Sequence, residues 1–273
     1  MTQRLNPTIP KEGRKRLWDP SRGIETPSRW QQFLGWCVHG YTALGLVAAA
    51  LMAVLLVDGG PASFRWCFWL MAAATIVDAT DGTLARLVQI KKVVPGFDGR
   101  RLDDIIDYLN YTFLPIFLIW RAELMPAGQE GWLILALVAS IYGFCQVQAK
   151  TDDGYFLGFP SLWNVVAFYL YVLPIPAWDC LAIVVILSVL TFMPGKYLYP
   201  SQPGRLNQIA TLLGVLWVLP LGWTLLNLPE STSPRTDRGL QRLAIVSLFY
   251  PVFYLGASWI VTLRQWSRSS KSR

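Results

Sequence analysis

From about residue 32 the sequence is a succession of apolar stretches. Most are close to the ~20 residues that a helix needs to cross a bilayer. They run over 34–57, 62–88, 101–123, 130–149, 161–174, 177–193, 206–227 and 240–263. The fifth is short, and Pro174 and Pro176 part it from the sixth, so a count of eight stands beside seven or six. Hydrophobic residues make up 53% of the 273 residues and charged residues 15%. Soluble domains carry roughly 25% charge. A disordered chain, a collagen-like chain and an ordinary soluble globule are thereby excluded. The expected architecture is all-α, a polytopic integral membrane bundle of about eight transmembrane helices over 32–273, preceded by a basic cytoplasmic arm over 1–31.

The cations support that topology. The arm carries Arg4, Lys11, Arg14, Lys15, Arg16, Arg22 and Arg29 and shows no apolar core of a secretory signal. A short interfacial helix is expected near 27–34. Lys91, Lys92, Arg100 and Arg101 follow the second stretch, Lys150 the fourth, and Lys196 and Arg205 the sixth. Arg264, Arg268, Lys271 and Arg273 follow the last. With eight spans all of them fall on the side of the arm, as the positive-inside rule asks. The loop at 228–239 is the weak point, because Arg235 and Arg238 sit there with Glu230 and Asp237. The net charge of +7 lies at the termini and between apolar runs. That placement fits anionic lipid head groups, not nucleic acid.

Cys37, Cys67, Cys145 and Cys180 form no CxxC pair, and His39 is the single histidine. A metal site in this chain has to be built from carboxylates, which favours Mg²⁺ or Mn²⁺ over zinc.

Carboxylates are indeed concentrated. Of the 17 acidic residues, Asp78, Asp81, Asp98, Asp103, Asp104 and Asp107 fall within one short region. Asp78 and Asp81 end one apolar run, while Asp103 and Asp107 begin the next. Four charges at membrane depth would cost on the order of 10 kcal/mol unless neutralised. At about 100° per residue, Asp78, Asp81, Gly82, Ala85 and Arg86 share one helix face. Gly99, Asp103 and Asp107 step by four and form a second stripe, with Asp104 off it by about 100°. Two such stripes facing each other would make an all-oxygen site. The bland alternative is a patch of ion pairs in which Arg86, Arg100 and Arg101 balance the acids.

The order Asp78-x-x-Asp81-Gly82-x-x-Ala85-Arg86, then Gly99-x-x-x-Asp103-x-x-x-Asp107, resembles the signature of the CDP-alcohol phosphotransferase family. The twelve residues 87–98 between the two halves exceed that family's usual seven or eight. This spacer, the run Phe97–Tyr108 and the segment Asp153–Ser161 resemble the bacterial phosphatidylcholine synthase branch. The resemblance covers roughly 32–265 and leaves out the basic arm.

What the resemblance implies is a divalent-metal-dependent transfer of the phosphatidyl group from CDP-diacylglycerol to choline, releasing CMP. It assigns Asp78, Asp81 and Asp103 to Mn²⁺ or Mg²⁺ and Asp107 to the role of general base. A two-metal version with Asp107 as a ligand stays open. Gly82, Ala85, Arg86 and Gly99 match positions near the nucleotide, and Thr42 carries over weakly because His39 stands where relatives have Asn. Arg86 could instead be paired with Asp78 or Asp81. Choline has no N–H donor, so aromatic faces and a carboxylate should hold it. Tyr108, Tyr111, Tyr142, Tyr155 and Trp163 are the aromatic candidates, with Asp104 and Asp152 as counter-charges. The resemblance also implies a homodimer in a bacterial inner membrane, with membrane lipids as neighbours and both termini cytoplasmic. Rival readings are a related enzyme that uses serine, inositol phosphate or glycerol phosphate, and a metal ion transporter.

Overall fold

The computed structural model describes residues 27–271 apart from 148, 152 and 201, with side chains through 267. Most of the arm expected over 1–31 lies outside the described residues, and so does Asp152. The described part begins where Ser28 caps helix α1 (Arg29–Thr42). Its hydroxyl accepts from Gln31 N at 3.2 Å, and the Gln31 side chain accepts from Ser28 N at 2.8 Å.

After Ala43, α1 continues almost directly into α2 (Leu44–Asp58). Gly59 and Gly60, at φ of +72° and +84°, then turn the chain into α3 (Gly60–Leu87). A side chain at Gly59 would lie 2.6 Å from Arg121 Nη2, which donates to Val57 O at 3.2 Å. The 28 residues of α3 rise about 42 Å, so Asp78 and Asp81 reach the end opposite Gly59. A short α4 (Ile90–Val93) leads back to α5 (Gly99–Asp107). Asp98 caps α5 by accepting from Arg100 N and Arg101 N at 3.2 and 3.3 Å.

The chain re-enters the bundle through a π-helical turn, Tyr108–Phe113, before α6 (Leu114–Arg121). Pro115 has no N–H to give the Tyr111 carbonyl, and Leu114 N reaches back to Leu109 O instead. A 3₁₀ turn at Glu130–Trp132 opens α7 (Leu133–Cys145). Then come α8 (Trp163–Val172), α9 (Ala177–Phe192), α10 (Arg205–Leu226), α11 (Arg238–Ser247) and α12 (Phe249–Lys271).

The eight apolar stretches thus recur as helical runs, in an all-α membrane bundle. Three of them, Arg29–Asp58, Arg205–Leu226 and Arg238–Ser267, are long and apolar enough to cross a membrane. The fifth and sixth are separate helices, parted at Pro174 and Pro176. The fifth is shorter than its apolar stretch. The ten residues of α8 rise about 15 Å, roughly half a hydrocarbon core, and its last six are all buried. It is a core helix, packed through Phe68–Phe168 and Phe64–Tyr171 ring contacts.

A short β ladder has no counterpart in the apolar pattern. β1 (Tyr155–Leu157) pairs antiparallel with β2 (Lys196–Leu198) in the register Tyr155↔Leu198. Helix α12 satisfies the outer edge of β2. Ser258 Oγ accepts from Leu198 N, Tyr254 OH donates to Leu198 O, and Thr262 Oγ1 accepts from Lys196 N.

The loop at 228–239 is also resolved as structure. Arg235 Nη2 donates to Leu170 O at 2.6 Å, capping the last turn of α8. Glu230 pairs with Arg65, near the start of α3. Arg235 is thus tied to the protein, so its charge says little about the side on which the loop lies. Away from these ties the helices expose apolar side chains, such as Val47, Leu51 and Val54 on α2 and Leu212, Val215 and Leu219 on α10. Water would not favour such faces, whereas a bilayer suits them.

Candidate metal centre

The acidic faces of α3 and α5 do meet. Asp78, Asp103 and Asp107 each present an oxygen, and these oxygens lie within 4.8 Å of one another. They line a cavity of about 10 Å³, together with Thr42, Gly45, Ala74, Val77, Asp81, Ile106, Asn110 and Tyr111. A space of that size holds roughly one water or one ion.

Close packing of α5 on α2 creates this geometry. A side chain on Gly45 would come 2.5 Å from Ile106 Cγ2, so only glycine admits buried Ile106 at this position. Asn110 Nδ2 fastens the contact, donating to Gly45 O and to Ile106 O at 3.0 Å each. Asp103 and Asp107 project from the same short helix, one turn apart.

Two hydroxyls orient the α3 carboxylates. Tyr111 OH donates to Asp78 Oδ2 at 2.9 Å, and Thr42 Oγ1 donates to Asp81 Oδ2 at 2.8 Å. Asp81 is buried and lines the cavity, but it stands outside the trio of converging oxygens. Thr42 thus joins the site through Asp81. Among the described residues no lysine or arginine pairs with any of the four acids, and the ion pairs formed are Arg65–Glu230, Arg101–Asp98 and Lys196–Asp153. The patch of balancing arginines is absent from this part. Arg86 is exposed and donates to Thr83 Oγ1 at 2.9 Å, leaving its remaining N–H groups free to meet an anion.

Carboxylates that accept only, gathered without a protein cation, form a donor set that fits a hard divalent cation. Asp78, Asp103 and Asp107 would hold it.

The other expected residues fall as follows. Gly82 has open space around it, its nearest neighbour for an added side chain being Arg86 Nη1 at 3.5 Å. Ala85 is half-buried on the same helix. Gly99 has a packing role, since a side chain there would lie 2.6 Å from His39 Cε1. His39 is buried against Phe97, ring centroids 4.5 Å apart, and does not line the cavity. Asp104 is exposed, off the stripe as its angle requires.

Of the aromatic candidates, Trp163 is fully buried, its Nε1 donating to Ser140 Oγ at 2.8 Å, and it belongs to the core. Tyr108 packs edge-on to Phe144, and Tyr142 lies against Phe192. Tyr111 is in the cavity wall. Tyr155 lies under Lys196, whose ammonium is 5.4 Å from its ring.

The missed residues are Gly45, Asn110, Phe156 and Tyr199. Phe156 and Tyr199 stack with centroids 4.2 Å apart, and Lys150 Nζ lies 6.0 and 5.5 Å from the two rings. Beside this patch Lys196 bonds to Asp153 and, with Thr151, holds that carboxyl below its usual range.

No family model matches the chain. The phosphatidylcholine synthase of Pseudomonas aeruginosa is 38% identical over 195 residues, which are 71% of this chain and 81% of that protein. That of Legionella pneumophila is 34% identical over 237 residues, 82% of this chain and 92% of that protein. That of Mesorhizobium japonicum is 31% identical over 211 residues, 76% of each.

Proposed function

This chain belongs to the phosphatidylcholine synthase family, and from that premise we propose that it transfers the phosphatidyl group of CDP-diacylglycerol to choline, giving phosphatidylcholine and CMP. The observation that carries the reading is the convergence of Asp78, Asp103 and Asp107 within 4.8 Å at the meeting of α3 and α5.

The chemistry asks for three things. The pyrophosphate and the departing CMP need their charge stabilised. A divalent cation held by the trio, Mn²⁺ or Mg²⁺ by the hardness of its ligands, supplies that charge when bound. Asp81, held by Thr42, adds a fourth carboxylate to the same wall. The choline hydroxyl must lose a proton as its oxygen bonds to the phosphatidyl phosphorus and the P–O bond to CMP breaks. Asp107, deepest on the α5 stripe, takes that proton. The nucleotide must lie close to the helices. Gly82 leaves the backbone of α3 open, Ala85 keeps that face low, and Arg86 offers a planar fork to phosphate.

The quaternary ammonium of choline calls for aromatic faces. Phe156 and Tyr199, which carry the Lys150 ammonium, are the faces we assign to it, together with Tyr155. The lipid tails reach the site sideways from the bilayer. The reading includes a homodimer in a bacterial inner membrane, with both termini in the cytoplasm. Lys91, Lys92, Arg100, Arg101, Lys150 and Lys196 all lie in segments at the carboxylate end, in keeping with that orientation.

Against a metal transporter, the four acids gather around one small cavity and do not step across the bilayer. The test is an acceptor panel. Purified chain with CDP-diacylglycerol and Mn²⁺ should turn over labelled choline. Turnover of serine, inositol phosphate or glycerol phosphate, with none of choline, would overturn the acceptor.

A further inference from the structure

Asn110 is 2% exposed and lines the cavity of the four acids. Its amide can be oriented without ambiguity. The nitrogen end faces two carbonyls, Gly45 O and Ile106 O, each at 3.0 Å, and a carbonyl only accepts. The oxygen end is therefore Oδ1, and Oδ1 is buried with no hydrogen-bond partner.

A buried amide oxygen without a donor is rare, because burial removes the water it would otherwise bind. The groups sharing its cavity do not offer a donor. Asp78, Asp81, Asp103 and Asp107 only accept when ionised. The Thr42 hydroxyl is used by Asp81 and the Tyr111 hydroxyl by Asp78. Asn110 also follows Asp103 by seven residues and Asp107 by three, which keeps it on their stripe. A buried acceptor without a donor, on a residue that lines a cavity walled by other acceptors, has one natural complement, a positively charged guest.

We infer that Asn110 Oδ1 is a further oxygen ligand of the divalent cation held by Asp78, Asp103 and Asp107, direct or through one bound water. A neutral ligand adds coordination without a fifth negative charge. The same side chain fastens α5 to α2 through Gly45, so one residue couples the helix contact to the ion. This inference rests on reading the cavity as a cation centre.

The test is Mn²⁺ binding to the purified full chain in detergent, read by electron paramagnetic resonance without substrate. Asn110→Ala and Asn110→Asp both remove the donation to Gly45 O, but only Asn110→Asp keeps an oxygen. Asn110→Ala should weaken Mn²⁺ about ten-fold or more, the size of loss seen when groups supporting a metal are removed. Asn110→Asp should bind Mn²⁺ at least as tightly as the parent. Parallel weakening in both variants assigns Asn110 to helix packing alone and overturns the inference. Unchanged Mn²⁺ affinity in Asn110→Ala with a raised KM for choline also overturns it, giving the oxygen to the substrate hydroxyl. If the parent chain binds no Mn²⁺, the cation centre itself is wrong, a failure distinct from either.

Discussion

Thr42 Oγ1 donates to Asp81 Oδ2 at 2.8 Å, joining the end of α1 to the acidic face of α3. Both residues are buried, so the bond is shielded from competing water. Hydrogen bonds to charged groups contribute about 1.5–3 kcal/mol. Thr42→Val should therefore lower the melting temperature in detergent and reduce turnover, whereas Thr42→Ser should restore both. Equal behaviour of Val and Ser would mean that Asp81 does not need the hydroxyl.

Asp107→Asn keeps the size of the side chain but removes its ability to take a proton. CDP-diacylglycerol binding should survive and turnover should be lost. Full turnover in this variant would remove Asp107 from the role of base.

Gly45 is a test of geometry. A methyl group there meets Ile106 Cγ2 at 2.5 Å. Gly45→Ala should force α5 away from α2, at a cost of about 1–3 kcal/mol for overpacking. Mn²⁺ binding should weaken with it, because Asp103 and Asp107 move with α5. Adding Ile106→Ala makes room for the methyl, and the double variant should recover part of the Mn²⁺ affinity. No recovery would mean that the contact does not set the site.

Tyr199→Ala and Phe156→Ala should raise the KM for choline several-fold and leave that for CDP-diacylglycerol nearly unchanged, since cation–π contacts contribute about 0.5–2 kcal/mol. An equal rise in both KM values would make the ring pair structural.

Asp153 titrates below its usual value because it bonds to Lys196 and Thr151. A depressed carboxyl stabilises the fold above its unfolded pKa and loses that contribution as pH falls through the folded one. Asp153→Asn should thus be slightly less stable than the parent at neutral pH. Thermal melts across pH should show the difference closing below the ordinary Asp value of 3.8. A gap that persists in acid would contradict the pairing.

Much of the site is legible in the sequence because it is written in helical spacing. The steps from Asp78 to Arg86 and from Gly99 to Asp107 are local, and a straight helix turns them into two stripes. The long apolar runs are legible for the same reason. Contacts between distant segments are not. Nothing local to Gly45 says that Ile106 needs its space, and nothing near Asn110 says that its oxygen is left unpaired. Gly99 illustrates the limit in reverse. Its lack of a side chain reads as room for a nucleotide, yet the structure fills that room with His39. The β1–β2 ladder has strands of three residues, too short for a period to emerge, and its pairing is satisfied by side chains from α12. Trp163 reads as an aromatic candidate for choline, yet it is buried in the core, where its indole N–H donates to Ser140.

The most direct measurement is release of CMP from CDP-diacylglycerol and choline by the purified chain, first stripped with a chelator and then resupplied with Mn²⁺. The account predicts no release after stripping, and restored release matched one-for-one by phosphatidylcholine. Undiminished release in the chelator would contradict it.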